Sequence, residues 1–465
     1  MPLIHDKDIE HIFRAYDIRG IVGENLFPDV ISKASAIFAN IIEEYGGKNI
    51  AVSGDGRIST PMLINSISAG VTGAGLDVFL LNTLPITVFY YSLWANKEFG
   101  GGAYVTASHN PPQWNGVRFR KSDGTGFSKE NTEVKKRFFS GKIKWAEWNN
   151  IGRIIHLDES KIIQDYINFV MEKAPPQERQ LEIILDTKNG IAGKVAPYLL
   201  SAGNRVMTLN ANIDGTFPSG SPDPVDGDIS KTIAVVKENK NAIGMVFDGD
   251  GDRVVILDER GRRVPPEIVG IFLAKELLKS GDIVVYNAEC ASIIRNKLEE
   301  MGIKAVETRV GDVFVAESAK KNNAKLGIEG SYHIFLPLYG FYYDDAIFAA
   351  YLFSVLVANK RKKVSEIYDE IGHFYVKREN FDVPDKIKWI VVSKLAELYE
   401  KKYETSTIDG VKIYLQHGSV LIRPSNTEPV IRMMTEADDE EELIKLHKKF
   451  KAELLNVISD IKAGS

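Results

Sequence analysis

Cysteine is almost missing from the sequence: Cys290 is the single one in 465 residues. No disulfide can close within the chain, which fits a reducing compartment. A surplus of one charge is missing too, since 58 basic side chains stand against 63 acidic ones for a formal net charge of −5. That balance is a poor electrostatic match for nucleic acid or an anionic membrane, and neither is expected as a partner. An anionic ligand would have to be held by a local basic site. Long hydrophobic runs are absent. The longest uncharged apolar stretch, Ala346 to Ala358, falls short of the roughly 20 residues a membrane-spanning helix needs. It reads as a buried core helix started by Asp344 and Asp345. Met1 to Asp17 carries both charge signs and no apolar segment, so it is no secretory signal. These absences lead to the expectation of a soluble, cytoplasmic protein.

What is present is ordinary for a globular chain, 44% hydrophobic and 26% charged. The length is too great for one core and predicts three or four domains of roughly 100–150 residues. One pattern recurs three times: an apolar strand, a polar loop, a helix, a glycine, and a second strand. The copies run Ile50–Ser53 to Val78–Leu81, Glu182–Leu185 to Val206–Leu209, and Ile283–Tyr286 to Ala305–Glu307. Gly75, Gly203 and Gly302 stand where a helix C-terminus favours a left-handed residue. In the first copy Thr60 is expected to cap the helix, with Pro61 in its first turn. Strands alternating with helices predict α/β layers with mixed, largely parallel sheets. The repeat fits three related domains, although any α/β protein produces such units. The last part differs. Strands at Phe374–Lys377, Val411–Leu415, Ser419–Ile422 and Val430–Thr435, with helices near Ile390–Tyr399 and from Glu440, predict a smaller antiparallel α+β domain. Four domains are therefore expected, at residues 1–152, 153–255, 256–371 and 372–465.

Five segments could carry chemistry. Thr106-Ala107-Ser108-His109-Asn110-Pro111-Pro112 follows the apolar strand Ala103–Val105. It puts a seryl hydroxyl at a strand end, where α/β proteins bind ligands, with a histidine beside it. Alone it also fits a plain turn rich in Ser, Asn and Pro. Asp248-Gly249-Asp250-Gly251-Asp252-Arg253 follows the strand Gly244–Phe247. Three carboxylates at alternate positions repel unless a cation neutralises them, and oxygen ligands favour Mg2+, Ca2+ or Mn2+. The spacing imitates an EF-hand, but Arg253 stands where that loop needs glycine and Val254–Leu257 reads as a strand. Arg423-Pro424-Ser425-Asn426-Thr427-Glu428-Pro429 offers an arginine, two hydroxyls, an amide and turn N–H groups, a set that suits a phosphate. It fits an ordinary β-turn equally well. Gly327-Ile328-Glu329-Gly330-Ser331-Tyr332-His333 could read paired sugar hydroxyls. Phe13-Arg14-Ala15-Tyr16-Asp17-Ile18-Arg19-Gly20 says little alone.

Taken in this order, the five segments resemble the α-D-phosphohexomutase superfamily over the whole chain. The resemblance implies four domains in a heart-shaped arrangement around a central cleft, three of them related α/β domains and the last α+β. The Phe-Arg-Ala-Tyr-Asp-Ile-Arg-Gly start is similar to the phosphomannomutase/phosphoglucomutase branch. By that resemblance Ser108 is the phosphoserine. Asp248, Asp250 and Asp252 are Mg2+ ligands, joined by an oxygen on Ser108. Arg19 stabilises the phosphoryl group, and Arg253 lies beside the metal and contacts substrate. Glu329 and Ser331 bind sugar hydroxyls. Arg423, Ser425, Asn426 and Thr427 grip the phosphate that is not reacting. Tyr16, His109 and His333 line the cleft. The implied partners are small hexose phosphates, with a hexose 1,6-bisphosphate as intermediate and activator, and a homo-oligomer is compatible with the sequence.

The chain departs from that pattern in three places. The related sugar loop reads Gly-Glu-Met-Ser-Gly-His, whereas Gly330 here replaces the methionine and Tyr332 the second glycine. Tyr332 is expected to narrow the cleft or shift the glucose–mannose preference. Arg118 stands where the family usually has a lysine, a candidate proton acceptor. With a pKa of ~13.8 against ~10.4, an arginine serves badly, a handicap of roughly 4–5 kcal/mol. Arg118 is therefore expected to act electrostatically and His109 to take the proton. Asp312 replaces a histidine of the related branch, which leaves a phosphoglucosamine mutase as an alternative. A metal-dependent sugar phosphatase and a non-catalytic sugar-phosphate binder are the readings outside the class.

Overall fold

The computed structural model describes residues 6–425 and 429–463. The chain divides into two compact units, one taking in the chain up to Val264 together with Tyr332–Ser365, the other Pro265–Ser331 and Glu366 onward.

The first unit holds two sheets. Six strands form the first in the order Ile18–Ile21, Trp114–Lys121, Gly101–Val105, Asn49–Gly54, Asp77–Thr83 and Ile154–His156. Its first two junctions are antiparallel and the other three parallel. The helices Pro28–Glu44 and Thr60–Gly73 pack together, and Ile31, Ile37 and Phe38 of the former join the apolar core. Phe38 stacks on Phe119 at 4.3 Å between ring centroids. The second sheet runs Arg263–Val264, Val254–Leu257, Ile243–Phe247, Glu182–Asp186, Arg205–Leu209. Here too the first two junctions are antiparallel and the last two parallel.

In the second unit Lys304–Thr308, Ile283–Asn287 and Leu326–Ile328 pair in parallel, with the helices Pro266–Leu277, Ile293–Glu300 and Asp312–Asn322 packed on them. A fully antiparallel sheet follows, ordered Tyr375–Asp382, Val430–Ala437, Gly418–Pro424, Val411–Leu415 and Glu404–Ser406. Its apolar face buries Val420, Ile422, Ile431 and Met433 beneath the helices Asp385–Tyr399 and Glu440–Ala463.

The mixed α/β architecture and the antiparallel C-terminal part agree with the sequence reading, and Gly75, Gly203 and Gly302 all have positive φ. Several details differ for physical reasons. Thr60 does not cap its helix: Ser59 occupies the cap position without a side-chain capping bond, and Thr60 Oγ1 donates to Asp55 Oδ1 at 2.9 Å. The apolar helix Ala346–Lys360 is started by Asp345 alone, whose carboxylate accepts from Phe348 N and from the Tyr166 hydroxyl, both at 2.9 Å. The expected breaks at 152/153 and 255/256 precede strands that still belong to the sheet before them, Ile154–His156 and Arg263–Val264. The expected third domain is also divided. Its helix Ala346–Lys360 is apolar nearly all round, so it must be enclosed, and within the first unit it packs on the helix Ala196–Ser201 and the strand Val254–Leu257. The end of that strand is where an EF-hand would have to continue its loop, so the structure agrees with excluding one. Among the described residues no helix is long and apolar enough to cross a membrane.

Candidate active site

The buried strand Gly101–Val105 ends at a turn that points Ser108 out of the sheet. Ser108 has φ +51°, a left-handed conformation that costs energy in any residue but glycine. The turn is held by short bonds. Ser108 N–H donates to Thr106 Oγ1 at 2.7 Å. Arg57, buried beneath, uses its whole guanidinium fork. It donates to the carbonyls of Ser108 (2.8 Å), Asn110 (2.7 Å), Pro111 (2.8 Å) and Trp114 (3.0 Å), and through Nε to Asp55 Oδ2 at 3.1 Å. The Phe217 ring lies 5.0 Å from the Arg57 guanidinium carbon. A planar five-donor fork can gather carbonyls facing different ways, which a lysine cannot do.

Ser108 Oγ is 3.1 Å from Asp248 Oδ2 and 3.1 Å from His109 Nδ1. Asp248, Asp250 and Asp252 follow the strand Ile243–Phe247, are fully buried, and place one oxygen each within 4.8 Å of the others. Backbone N–H groups of Gly251 (3.0 Å) and Arg253 (3.3 Å) fold back onto Asp248 Oδ1. The two loops touch so closely that a Cβ on Gly249 would lie 2.5 Å from Ser108 O, so only glycine fits there. Burial first, then Asp252 and Asp250, push Asp248 well above the ordinary carboxylate range. Burial and Asp252 push Asp250 up to about 6. Burial works to raise Asp252 as well, but His333, Arg118 and Arg253 outweigh it and hold it low.

Two details show that this cluster fits a divalent cation. Asp250 Oδ1 is buried without a hydrogen-bond partner. Thr106 Oγ1 lies 2.9 Å from both Asp250 Oδ2 and Asp55 Oδ2, yet a hydroxyl has one proton and serves one of them. The unsatisfied charge is what an oxygen-ligated cation of the Mg2+ class would take up.

Cations ring the cluster. Arg118 Nη1 is 2.9 Å from Asp252 Oδ2, in accord with an electrostatic role. Arg253 Nε lies 3.8 Å from Asp248 Oδ2 and 3.4 Å from His333 Nε2. His333 Nε2 is 3.4 Å from Asp252 Oδ1 and 3.8 Å from Asp344 Oδ2. Arg19 Nη1 donates to Asn110 Oδ1 at 2.8 Å and Nη2 pairs with Asp17 at 2.6 Å, which fixes Arg19 to the serine loop. Arg253 above all, then burial and Arg19, hold His109 far below its usual pKa, with Asp252 opposing. His109 is therefore neutral. Tyr16 is half-buried on the segment entering the strand Ile18–Ile21. Tyr332 has φ +72°, which explains why related chains use glycine there. Its half-buried side chain packs against the apolar cluster that includes Ile184, Ile229 and Val255.

In the second unit Glu329 accepts from Asn287 Nδ2 and Gly311 N, each at 3.0 Å, and from Ser331 Oγ at 3.0 Å. Arg423, on the strand Gly418–Pro424, donates through Nε (3.0 Å) and Nη2 (2.6 Å) to Glu289 Oε1. The carbonyl of Ser425 accepts from Lys388 Nζ at 2.6 Å. Asn426 and Thr427 lie outside the described residues. A Cβ on Gly330 would lie 2.8 Å from the Glu289 carbonyl, so the glycine that replaces a methionine answers a close backbone approach. Sequence reading missed Asp55, Arg57, Asn110 and Glu289. The available signal for the first two was Asp55-Gly56-Arg57, a charged triplet at the end of the parallel strand Asn49–Gly54.

Comparison with known proteins gives one consistent picture. The chain matches the phosphoglucomutase/phosphomannomutase family in four successive segments: alpha/beta/alpha domain I over residues 10–143, domain II over 164–261, domain III over 265–374 and the C-terminal domain over 379–453. It is 32% identical to a phosphoglucomutase/phosphomannomutase of Thermococcus kodakarensis over 442 residues, 92% of this chain and 95% of that protein. It is 30% identical to a phosphoglucosamine mutase of Methanocaldococcus jannaschii over 449 residues, 94% of this chain and 97% of that one. A crystal structure of a phosphoglucomutase/phosphomannomutase family protein from Burkholderia thailandensis superposes with a TM-score of 0.87 at 25% identity, covering 96% of this chain and 98% of the other.

The carboxylate cluster generates a pH prediction. Without a cation Asp250 keeps its proton in the fold up to about pH 6, from an ordinary value of 3.8. The folded state then binds more protons than the unfolded one, so the contribution of Asp250 is full in acid and is lost as pH rises through about 6. The shift is worth on the order of 3 kcal/mol. The gain in melting temperature on adding Mg2+ to chelator-treated protein should therefore grow as pH rises from about 5 through about 7. Calorimetry checks this, and a gain independent of pH would mean that these carboxylates are not the ligands.

Proposed function

The chain belongs to the phosphoglucomutase/phosphomannomutase family of phosphohexomutases, and on that premise we propose that it interconverts the 1- and 6-phosphates of mannose and glucose through a phosphorylated Ser108. One observation carries the reading: Ser108 Oγ, held in a left-handed turn, lies 3.1 Å from a carboxylate oxygen of a three-aspartate cluster. Nucleophile and cation site adjoin, as phosphoryl transfer requires.

Phosphoserine 108 gives its phosphoryl group to the free hydroxyl of a hexose phosphate. The Ser108 Oγ–P bond breaks, a bond from phosphorus to the sugar oxygen forms, the hydroxyl proton leaves to a base, and the freed seryl oxygen takes up a proton. The resulting hexose 1,6-bisphosphate turns over and returns its other phosphoryl group to Ser108. Asp248, Asp250 and Asp252 would hold Mg2+, whose charge offsets that on the transferring group. Arg19, tied to Asn110, is placed to do the same from the protein side. His109 Nδ1, 3.1 Å from the seryl oxygen, is assigned as the base on its position, although the cations beside it lower its basicity. The cations that keep it neutral oppose its protonation until the anionic substrate arrives. Arg118, paired with Asp252, cannot serve as that base. Arg253 and His333 contact substrate beside the metal, and Tyr16 contributes to the substrate site. Glu329 and Ser331 read sugar hydroxyls. Arg423, Ser425, Asn426 and Thr427 grip the distal phosphate, a set that tolerates either end of the sugar because it reads phosphate charge. Arg57 positions the nucleophile loop and touches no substrate.

A coupled assay with Mg2+ and a trace of glucose 1,6-bisphosphate tests the proposal on glucose 1-, mannose 1- and glucosamine 1-phosphate. Isomerisation of the first two, abolished by Ser108→Ala and slowed by His109→Ala, is the expected result. Turnover of glucosamine 1-phosphate alone would assign the amino-sugar reaction of the Methanocaldococcus relative, and phosphate release without isomerisation would overturn mutase activity.

Arg57→Lys keeps the charge but loses the fork. It should lower kcat about 100-fold while KM changes little, because a misplaced nucleophile impairs transfer and not substrate binding. Steady-state kinetics decide this, and an unchanged kcat would remove Arg57 from the account.

A further inference from the structure

A second concave site lies at the opposite end of the second sheet. The strands Glu182–Asp186, Arg205–Leu209 and Ile243–Phe247 run parallel. Their first residues line a cavity of about 730 Å³, within the range of roughly 300–1,000 Å³ typical of small-molecule sites. Asp248 follows the far end of the strand Ile243–Phe247. Five residues at ~3.3 Å each put the cavity about 15 Å from the catalytic cluster, so the two sites do not overlap.

The lining joins an apolar floor of Ile183, Val206, Ala242 and Val357 to a cationic wall of Arg179, Arg205, Lys240, Lys362 and Lys363. Only two acids share it, Glu182 and Glu259, and both are engaged. Glu182 pairs with Arg205 at 3.2 Å. Glu259 accepts the backbone N–H groups of Val364 (2.8 Å) and Ser365 (3.0 Å), which pins the segment carrying Lys362 and Lys363. That segment belongs to the run Lys360-Arg361-Lys362-Lys363, turned at Arg361 by a left-handed backbone, φ +56°. In a chain of net charge −5, five cations against two carboxylates thus leave this hollow a local excess of positive charge. Like charges lining a hollow repel one another and focus a positive potential into it, and a multivalent anion is the physical complement. We propose that this cavity binds a phosphorylated small molecule carrying two or more negative charges, independently of the catalytic site.

Inorganic pyrophosphate is the probe, titrated calorimetrically into the full chain with divalent cations chelated. The wild type should bind it, and the double charge reversal Arg205→Glu/Lys240→Glu should weaken that binding about tenfold or more while mutase turnover stays unchanged. Lys362→Gln/Lys363→Gln is the milder variant should the reversal fail to fold, and it should weaken binding by several-fold. No pyrophosphate binding to the wild type, or equal binding by the wild type and whichever variants fold, would overturn the proposal, because any anion bound would then sit elsewhere.

Discussion

Three carboxylates whose oxygens lie within 4.8 Å of one another, all shut away from water, set the terms for the rest of the first unit. In a medium of low dielectric their mutual repulsion is severe. Asp248 and Asp250 answer by favouring protonation, while Asp252 is held ionised by Arg118, Arg253 and His333. A bound divalent cation replaces that compromise with a single neutralised centre. The cost of burying the acids favours a cation at the site, and Ser108 stands beside one of the carboxylate oxygens.

Keeping Ser108 there requires a second structure with no chemistry of its own. The left-handed turn is held by Thr106 from within and by Arg57 from beneath, whose fork closes on four backbone carbonyls. Gly249 lets the metal loop approach that turn to contact distance. Ser108 and the aspartate cluster come from the C-terminal ends of strands in different sheets, and their spacing depends on backbone contacts that tolerate no side chain. Polar groups packed this tightly rigidify a site when all are satisfied, and Asp250 Oδ1, one of several buried atoms left without a hydrogen-bond partner among the described residues, points to the ligand.

Much of this was legible in the sequence because each loop carries its chemistry in consecutive residues. The Asp248–Arg253 loop could be read as a cation site before any fold was known, the serine loop stood out as a candidate only together with the other segments, and strand–helix alternation foretold the α/β sheets. Arg57 escaped because its partners are carbonyls, which no side-chain pattern announces. The capping expected of Thr60 failed because Thr60 is already the first helical residue, with Ser59 at the cap position. The apolar cluster against which Tyr332 packs is formed by residues far apart in sequence, so only the fold reveals it. The strand Tyr375–Asp382 runs well past the expected Lys377 because its exposed, charged residues hide the alternation. The helix Asp385–Tyr399 starts before the expected Ile390, although Pro384 and Asp385 are a standard opening.

The claim that Ser108 carries the phosphoryl group is tested most directly by mass spectrometry of the protein after incubation with glucose 1,6-bisphosphate and Mg2+. The account predicts one phosphoryl group, located on Ser108 and discharged when hexose 1-phosphate is added. A protein that turns over substrate with Ser108 unmodified, or with the group on another residue, would contradict it.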